Sequence, residues 1–134
     1  MISHICLGTR DMARAGRFWR ALATPLGLAE REVEEDGGPP MLCWHRPDTT
    51  APRLYVVEPF DGAPASVGNG TMVAFIAPTP AAVDVAHAAG LAAGGTDEGA
   101  PGPRPHYAPD YYGAYLRDPD GNKVHLVHRP ALLA

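Results

Sequence analysis

A chain of 134 residues, 46% hydrophobic and 19% charged, has the length and apolar content of one packed domain. A net charge of -4, with 11 Lys and Arg scattered along the sequence, leaves no basic footprint for nucleic acid, and no apolar run approaches the roughly 18 residues that span a bilayer. The start Met1-Ile2-Ser3-His4 has neither a charged leader nor an apolar signal core, so the expected location is the cytoplasm, with no membrane partner.

Residues 2 to 8 alternate as a half-buried strand does, Ile5 and Leu7 on one face, His4 and Cys6 on the other. Asp11 is a predicted N-cap, and Met12, Ala15, Trp19 and Leu22 follow at helical spacing to an end near Pro25 and Gly27. Strands are predicted around Leu28 to Val33, Met41 to His45 and Arg53 to Glu58, the first two separated by the solvated acidic turn Glu34-Glu35-Asp36-Gly37-Gly38. Cys6 and Cys43 fall in strand-like segments without CxxC spacing, which predicts buried free thiols.

Residues 59 to 69 hold turn formers and little that packs, so they form a connector. A strand over 70 to 77 leads to Thr79-Pro80, a cap followed by proline at the first helical position, and an alanine-rich helix that stops at Gly94-Gly95. A weak strand near 96 to 99 precedes the proline-rich loop 100 to 110. Strands Tyr111 to Arg117 and Asn122 to His128 are joined by Asp118-Pro119-Asp120-Gly121, where Pro fits the first turn position and Gly the positive φ.

The order βαβββ thus occurs twice, and Thr71-Met72-Val73-Ala74-Phe75-Ile76 repeats the pattern of the first strand 68 residues on. The predicted fold is α+β: one domain over 1–134, with modules 1–58 and 70–134 forming a cupped mixed sheet around a central cleft. Alternation turns His4, Cys6, Met72, Ala74 and Ile76 away from the helices, and in the last strand Lys123, His125 and Val127. The repeat carries position 125 back to about Val57 or Glu58, which makes Glu58 a candidate third ligand beside His4 and His125. Two imidazoles and a carboxylate suit Zn, Ni, Mn or Fe.

These residues resemble the vicinal oxygen chelate superfamily, which includes glyoxalase I, fosfomycin-resistance proteins, extradiol dioxygenases and bleomycin-resistance proteins. The similarity rests on His4 in the first strand, on Asp11-Met12-Ala13-Arg14-Ala15-Gly16-Arg17-Phe18-Trp19, and on Asp118-Pro119-Asp120-Gly121-Asn122-Lys123-Val124-His125-Leu126. The loop from Pro105 to Tyr112 is similar to that of a bacterial glyoxalase-like subgroup. The resemblance implies a divalent metal held at His4, a position near Glu58, Met72 and His125, and a homodimer. Met72 replaces the usual histidine and His125 the usual glutamate, and a thioether is a poor ligand for a borderline ion. Authentic lactoylglutathione lyase activity is therefore not expected.

Two functions stay open at this point. In the first, a metal-dependent lyase or isomerase holds a substrate with vicinal oxygens, and Glu58 or His106 moves the proton. In the second, a metal-free protein of the bleomycin-resistance type sequesters a small molecule against Met72, Trp44, Tyr107 and Tyr111, with Arg104 for an anionic group. Alternation allows only one of Tyr111 and Tyr112 to face the cleft.

Overall fold

The computed structural model describes residues 1–132. Strand β1 (His4–Gly8), helix α1 (Met12–Leu26) and strands β2 (Ala29–Arg31), β3 (Met41–His45) and β4 (Arg53–Val57) make the first module. Strand β5 (Met72–Ile76), helix α2 (Pro80–Ala92) and strands β6 (Thr96–Pro103), β7 (Tyr112–Arg117) and β8 (Lys123–His128) repeat that order, and a short 3-10 turn covers Pro130–Leu132. No helix among the described residues is long and apolar enough to cross a membrane.

Local signals place both helices. Asp11 caps α1 by accepting from the Arg14 amide at 2.9 Å, and Gly27, at φ 70°, closes its C-terminus. Thr79 caps α2 through the Ala82 amide at 3.0 Å, with Pro80 in the first turn. Two strands differ from prediction. Strand β2 stops after three residues, the chain leaving β3 past Arg31, where the charged Glu32 leads into the acidic turn. Strand β6 instead continues through Ala100-Pro101-Gly102-Pro103; it is an edge strand with two register shifts, so its prolines interrupt no central ladder.

The cup is divided into two four-stranded mixed sheets, ordered β1-β4-β3-β2 and β5-β8-β7-β6. In each, the first and last strands of the module pair in parallel and the rest are antiparallel. Helix α1 covers the first sheet, α2 the second, and the helices pack on each other. Trp19 spans the modules, its ring 6.4 Å from Trp44 and 5.6 Å from Phe75. Phe18, Leu22, Val56, Val83, Leu116, Val124 and Leu126 are fully buried, each contributing about 1.5–3 kcal/mol of burial. The helices approach closely at Gly90, where a Cβ would lie 3.2 Å from Leu22 Cδ1 and 3.3 Å from Phe18 Cε2 of α1, and 2.5 Å from Leu116 Cδ1 of β7.

The last hairpin ties the modules together. Asp120 accepts from the Thr9 hydroxyl at 2.5 Å, the Arg10 amide at 2.9 Å and the Arg14 guanidinium at 2.9 Å. Asn122 donates to the Gly8 carbonyl at 3.0 Å and to the buried Asp118 carboxylate at 2.8 Å. Burial pushes the Asp118 carboxyl above the usual carboxylate range despite the hydrogen bonds from Asn122. The turn recognised in the sequence is thus also the joint between modules.

Candidate functional site

Strand register fixes which residues share a row across each cleft face. In the first sheet the row is Cys6, Tyr55, Cys43 and Arg31; in the second it is Ala74, His125, Tyr115 and Gly99. The counterpart of His125 is therefore Tyr55, not Glu58. Glu58 lies beyond the last paired residue of β4, three residues past Tyr55 and so about 10 Å along the chain at strand rise, and its amide bonds the Pro40 carbonyl. The sequence signal missed this because the loops of the two copies differ in length, and an odd shift also exchanges the faces of a strand.

The first row gathers little. His4 is exposed; its Nδ1 lies 3.0 Å from the Ser3 hydroxyl and its ring stands edge-on to Tyr55 at 5.4 Å. Cys6 is exposed, contrary to the expectation of burial, because it points into the open cleft, while Cys43 is buried beneath the same face. Tyr55 separates them, so both thiols are free. Trp44 is also displaced from its predicted role: alternation in β3 turns Leu42 and Trp44 toward α1, and Trp44 joins the core at 2% exposure.

The second row builds a compact group. His125 is 2% exposed and lies flat against Tyr115, ring centroids 4.1 Å apart and planes within 9°. It fits because residue 113 is glycine: a Cβ there would come within 2.6 Å of His125 Cε1. Gly99 similarly makes room for the Tyr115 ring. His125 Nδ1 bonds the Ala114 carbonyl at 2.8 Å and Nε2 the Tyr111 hydroxyl at 2.6 Å. A carbonyl only accepts, so Nδ1 carries a proton. Burial, followed by Arg104 and Lys123, holds the His125 pKa below its ordinary value, so the ring is neutral and Nε2 accepts from Tyr111.

The loop between β6 and β7 supplies the outer wall. Tyr107 lies 5.0 Å from Tyr111 and His106 4.2 Å from Tyr107, with Tyr107 59% exposed. Burial raises the phenol pKa values of Tyr111 and Tyr115, so both stay protonated. Tyr112 faces the other way and donates to Asp84 of α2 at 2.6 Å. Arg104 is a fastener of the loop: its guanidinium donates to the carbonyls of Ala100, Gly102 and Pro103. The Lys123 ammonium sits 5.3 Å from the Tyr115 ring centre and makes no ion pair among the described residues. Met72, on the cleft face of β5, is 42% exposed. Two surface depressions of about 510 and 210 Å³ follow the acidic hairpin between β2 and β3 and contain none of these groups.

The sequence profile of the Glyoxalase/Bleomycin resistance protein/Dioxygenase superfamily matches residues 1–126. The chain belongs to this superfamily. Among solved structures, a glyoxalase/bleomycin resistance protein from Albidiferax ferrireducens T118 is 39% identical, superposes with a TM-score of 0.81, and the match covers 97% of this chain and 99% of that one. A glyoxalase-related enzyme from Fulvimarina pelagi is 19% identical at a TM-score of 0.70, covering 97% and 88% of the two chains. A glyoxalase I mutant from Zea mays is 22% identical at 0.68, the match covering 97% of this chain and 47% of that one. The last two similarities concern the fold. No curated protein matches.

The divalent metal implied by superfamily resemblance finds a poor donor set in this member. Both nitrogens of His125 are committed, Met72 offers only a thioether, and register sets Glu58 outside the row. Among the described residues no three His, Cys, Asp or Glu side chains are placed to hold a metal ion together. The residues present do not fit a divalent ion.

Proposed function

We propose that this superfamily member is a metal-independent small-molecule-binding protein whose planar or aromatic ligand lies against Tyr107, Tyr111 and Tyr115, with the buried His125 beneath them. The observation that carries this reading is the commitment of both His125 nitrogens inside a tyrosine cluster. A neutral imidazole held in that way is buried beneath the tyrosines and has no lone pair left for a metal. Tyr107 is the most accessible ring and gives the ligand its outer contact. Met72, across the parallel β5–β8 pair, adds an apolar and adaptable neighbour. A homodimer belongs to the same reading, since β1 and β5 each stand at a sheet edge with exposed cleft-facing side chains.

The test is metal analysis of protein purified without chelator, combined with thermal melts in Zn, Ni, Mn and Fe and a binding screen of aromatic compounds. No stoichiometric metal, no rise in Tm with added metal, and aromatic binding that is lost in Tyr107→Ala are expected, because a ligand of the folded state alone must stabilise it. Stoichiometric metal lost in His4→Ala, His125→Ala or Glu58→Ala would overturn the proposal in favour of the metal-dependent reading, in which His106 or Glu58 is the candidate proton carrier.

A further inference from the structure

The neutral tautomer of His125 has a consequence for the tyrosine beside it. Nδ1–H is spent on the Ala114 carbonyl at 2.8 Å, so the only remaining function of the ring is to accept at Nε2, and Tyr111 supplies that proton at 2.6 Å. A phenol has one proton. Once it is directed inward, the outward side of the Tyr111 oxygen has only lone pairs to offer. The orientation is held on three sides: by Gly113, whose missing Cβ admits the imidazole; by Tyr115, stacked 4.1 Å away; and by Tyr107, packed 5.0 Å from Tyr111. Two cations here are neither ion-pair partners among the described residues nor fastened to loop carbonyls as Arg104 is, the Lys123 ammonium 5.3 Å over Tyr115 and the Arg129 guanidinium 5.4 Å over Tyr111, and of the two only Lys123 lies within β8, two residues before His125 on the same face.

We infer that Tyr111 and His125 act as a specificity dyad that selects a planar ligand carrying an O–H or N–H donor toward Tyr111 and an anionic group toward Lys123. Tyr111 is the residue that touches the ligand, and His125 is a positioning residue that acts through it. The inference rests on the aromatic site proposed above and deepens it by naming the ligand class. Its physical basis is asymmetric: a donor placed against the Tyr111 oxygen completes a hydrogen bond, whereas an acceptor or a methyl ether meets lone pair against lone pair and is rejected.

The experiment is calorimetric titration with 4-hydroxybenzoate and 4-methoxybenzoate, which share ring and carboxylate and differ in the donor. The hydroxyl compound is expected to bind at least tenfold more tightly to the native protein, which supports the dyad. In Tyr111→Phe, which keeps the ring, that ratio is expected to fall to about one. In His125→Phe, which keeps a flat ring but frees the Tyr111 proton, the ratio is expected to fall because the methoxy compound gains affinity, an effect that a merely structural role would not produce. Lys123→Met is expected to weaken both compounds equally. Equal affinity of the native protein for the two compounds, or an unchanged ratio in Tyr111→Phe, overturns the dyad while leaving the aromatic site standing. Binding of neither compound, with aromatic binding otherwise intact in the screen, overturns the ligand class; no aromatic binding at all overturns the site together with the dyad.

Discussion

Gly113 and His125 occupy one volume between them: the imidazole fills the place where a side chain at 113 would stand, with Cε1 2.6 Å from the position of a Cβ. The backbone of Gly113 needs no positive φ, so the requirement is one of space alone. Gly113→Ala is therefore expected to cost about 1–3 kcal/mol by overpacking and to tilt His125 off Tyr115. Urea denaturation measures the first effect and the near-ultraviolet circular dichroism of the tyrosines the second. A variant as stable as the parent, with an unchanged spectrum, would show that the imidazole lies elsewhere.

Asp120 has a side chain 3% exposed and binds Arg14 from the opposite module, with Thr9 and the Arg10 amide completing its shell. Removing the carboxylate leaves the buried Thr9 hydroxyl and the partly exposed Arg14 guanidinium without this acceptor, so Asp120→Ala is expected to destabilise by about 1.5–3 kcal/mol, the range for a hydrogen bond to a charged group. Asp120→Asn, which keeps one acceptor, should lose less. Chemical denaturation of the two variants in parallel decides it. Equal small losses would mean that helix packing alone joins the modules.

The pH dependence of stability follows from His125. Its pKa is lowered in the fold below the ordinary 6.5, so the unfolded chain takes up the proton first. The contribution is present above 6.5 and is lost as pH falls through the folded value. Asp97, lowered by the Gly99 amide and then by His87, loses its contribution only below 3.8. Asp118, raised by burial, works in the opposite sense: its contribution is present below 3.8 and is lost as pH rises through the folded value. Stability measured from about pH 7.5 down to about pH 5.5 is expected to decline in the parent and to stay flatter in His125→Gln. A slope unchanged by that substitution would assign the effect to another group.

Met72 and Ile76, 42% and 43% exposed on the cleft side of the edge strand β5, are apolar surface on a strand with a free ladder. Sedimentation equilibrium is expected to return the mass of a homodimer, and Ile76→Lys to shift it toward the monomer. A monomeric parent at high concentration would remove the dimer from the functional reading.

How much of this was legible in the sequence depended on the range of the interaction concerned. Asp11, Thr79, Pro80 and Gly27 act on their own helices within a few residues, and Gly121, at φ 93°, acts within its own turn, so their roles could be read directly. The alternation that separates Tyr111 from Tyr112 is equally local, and the two side chains do bond on opposite sides, to His125 and to Asp84. Trp44 was misjudged because an aromatic residue in a strand fits either face until the partner helix is known; here Trp19 claims it. Glu58 was misjudged because register between distant strands depends on loop lengths, which a repeat in the sequence does not preserve.

By itself, then, the sequence determined the two βαβββ modules, their caps and turns, and membership of a superfamily whose profile spans residues 1–126. Those properties follow from periodicity and short-range sterics, which are written in neighbouring residues. Only the tertiary structure decided that Tyr55 is the counterpart of His125, that Asp120 clamps β1 to the last hairpin, and that both nitrogens of His125 are spent. A hydrogen bond to Ala114 or a vacancy at Gly113 exists only once β7 and β8 have paired in one register, and that pairing sets what the cleft can offer a ligand.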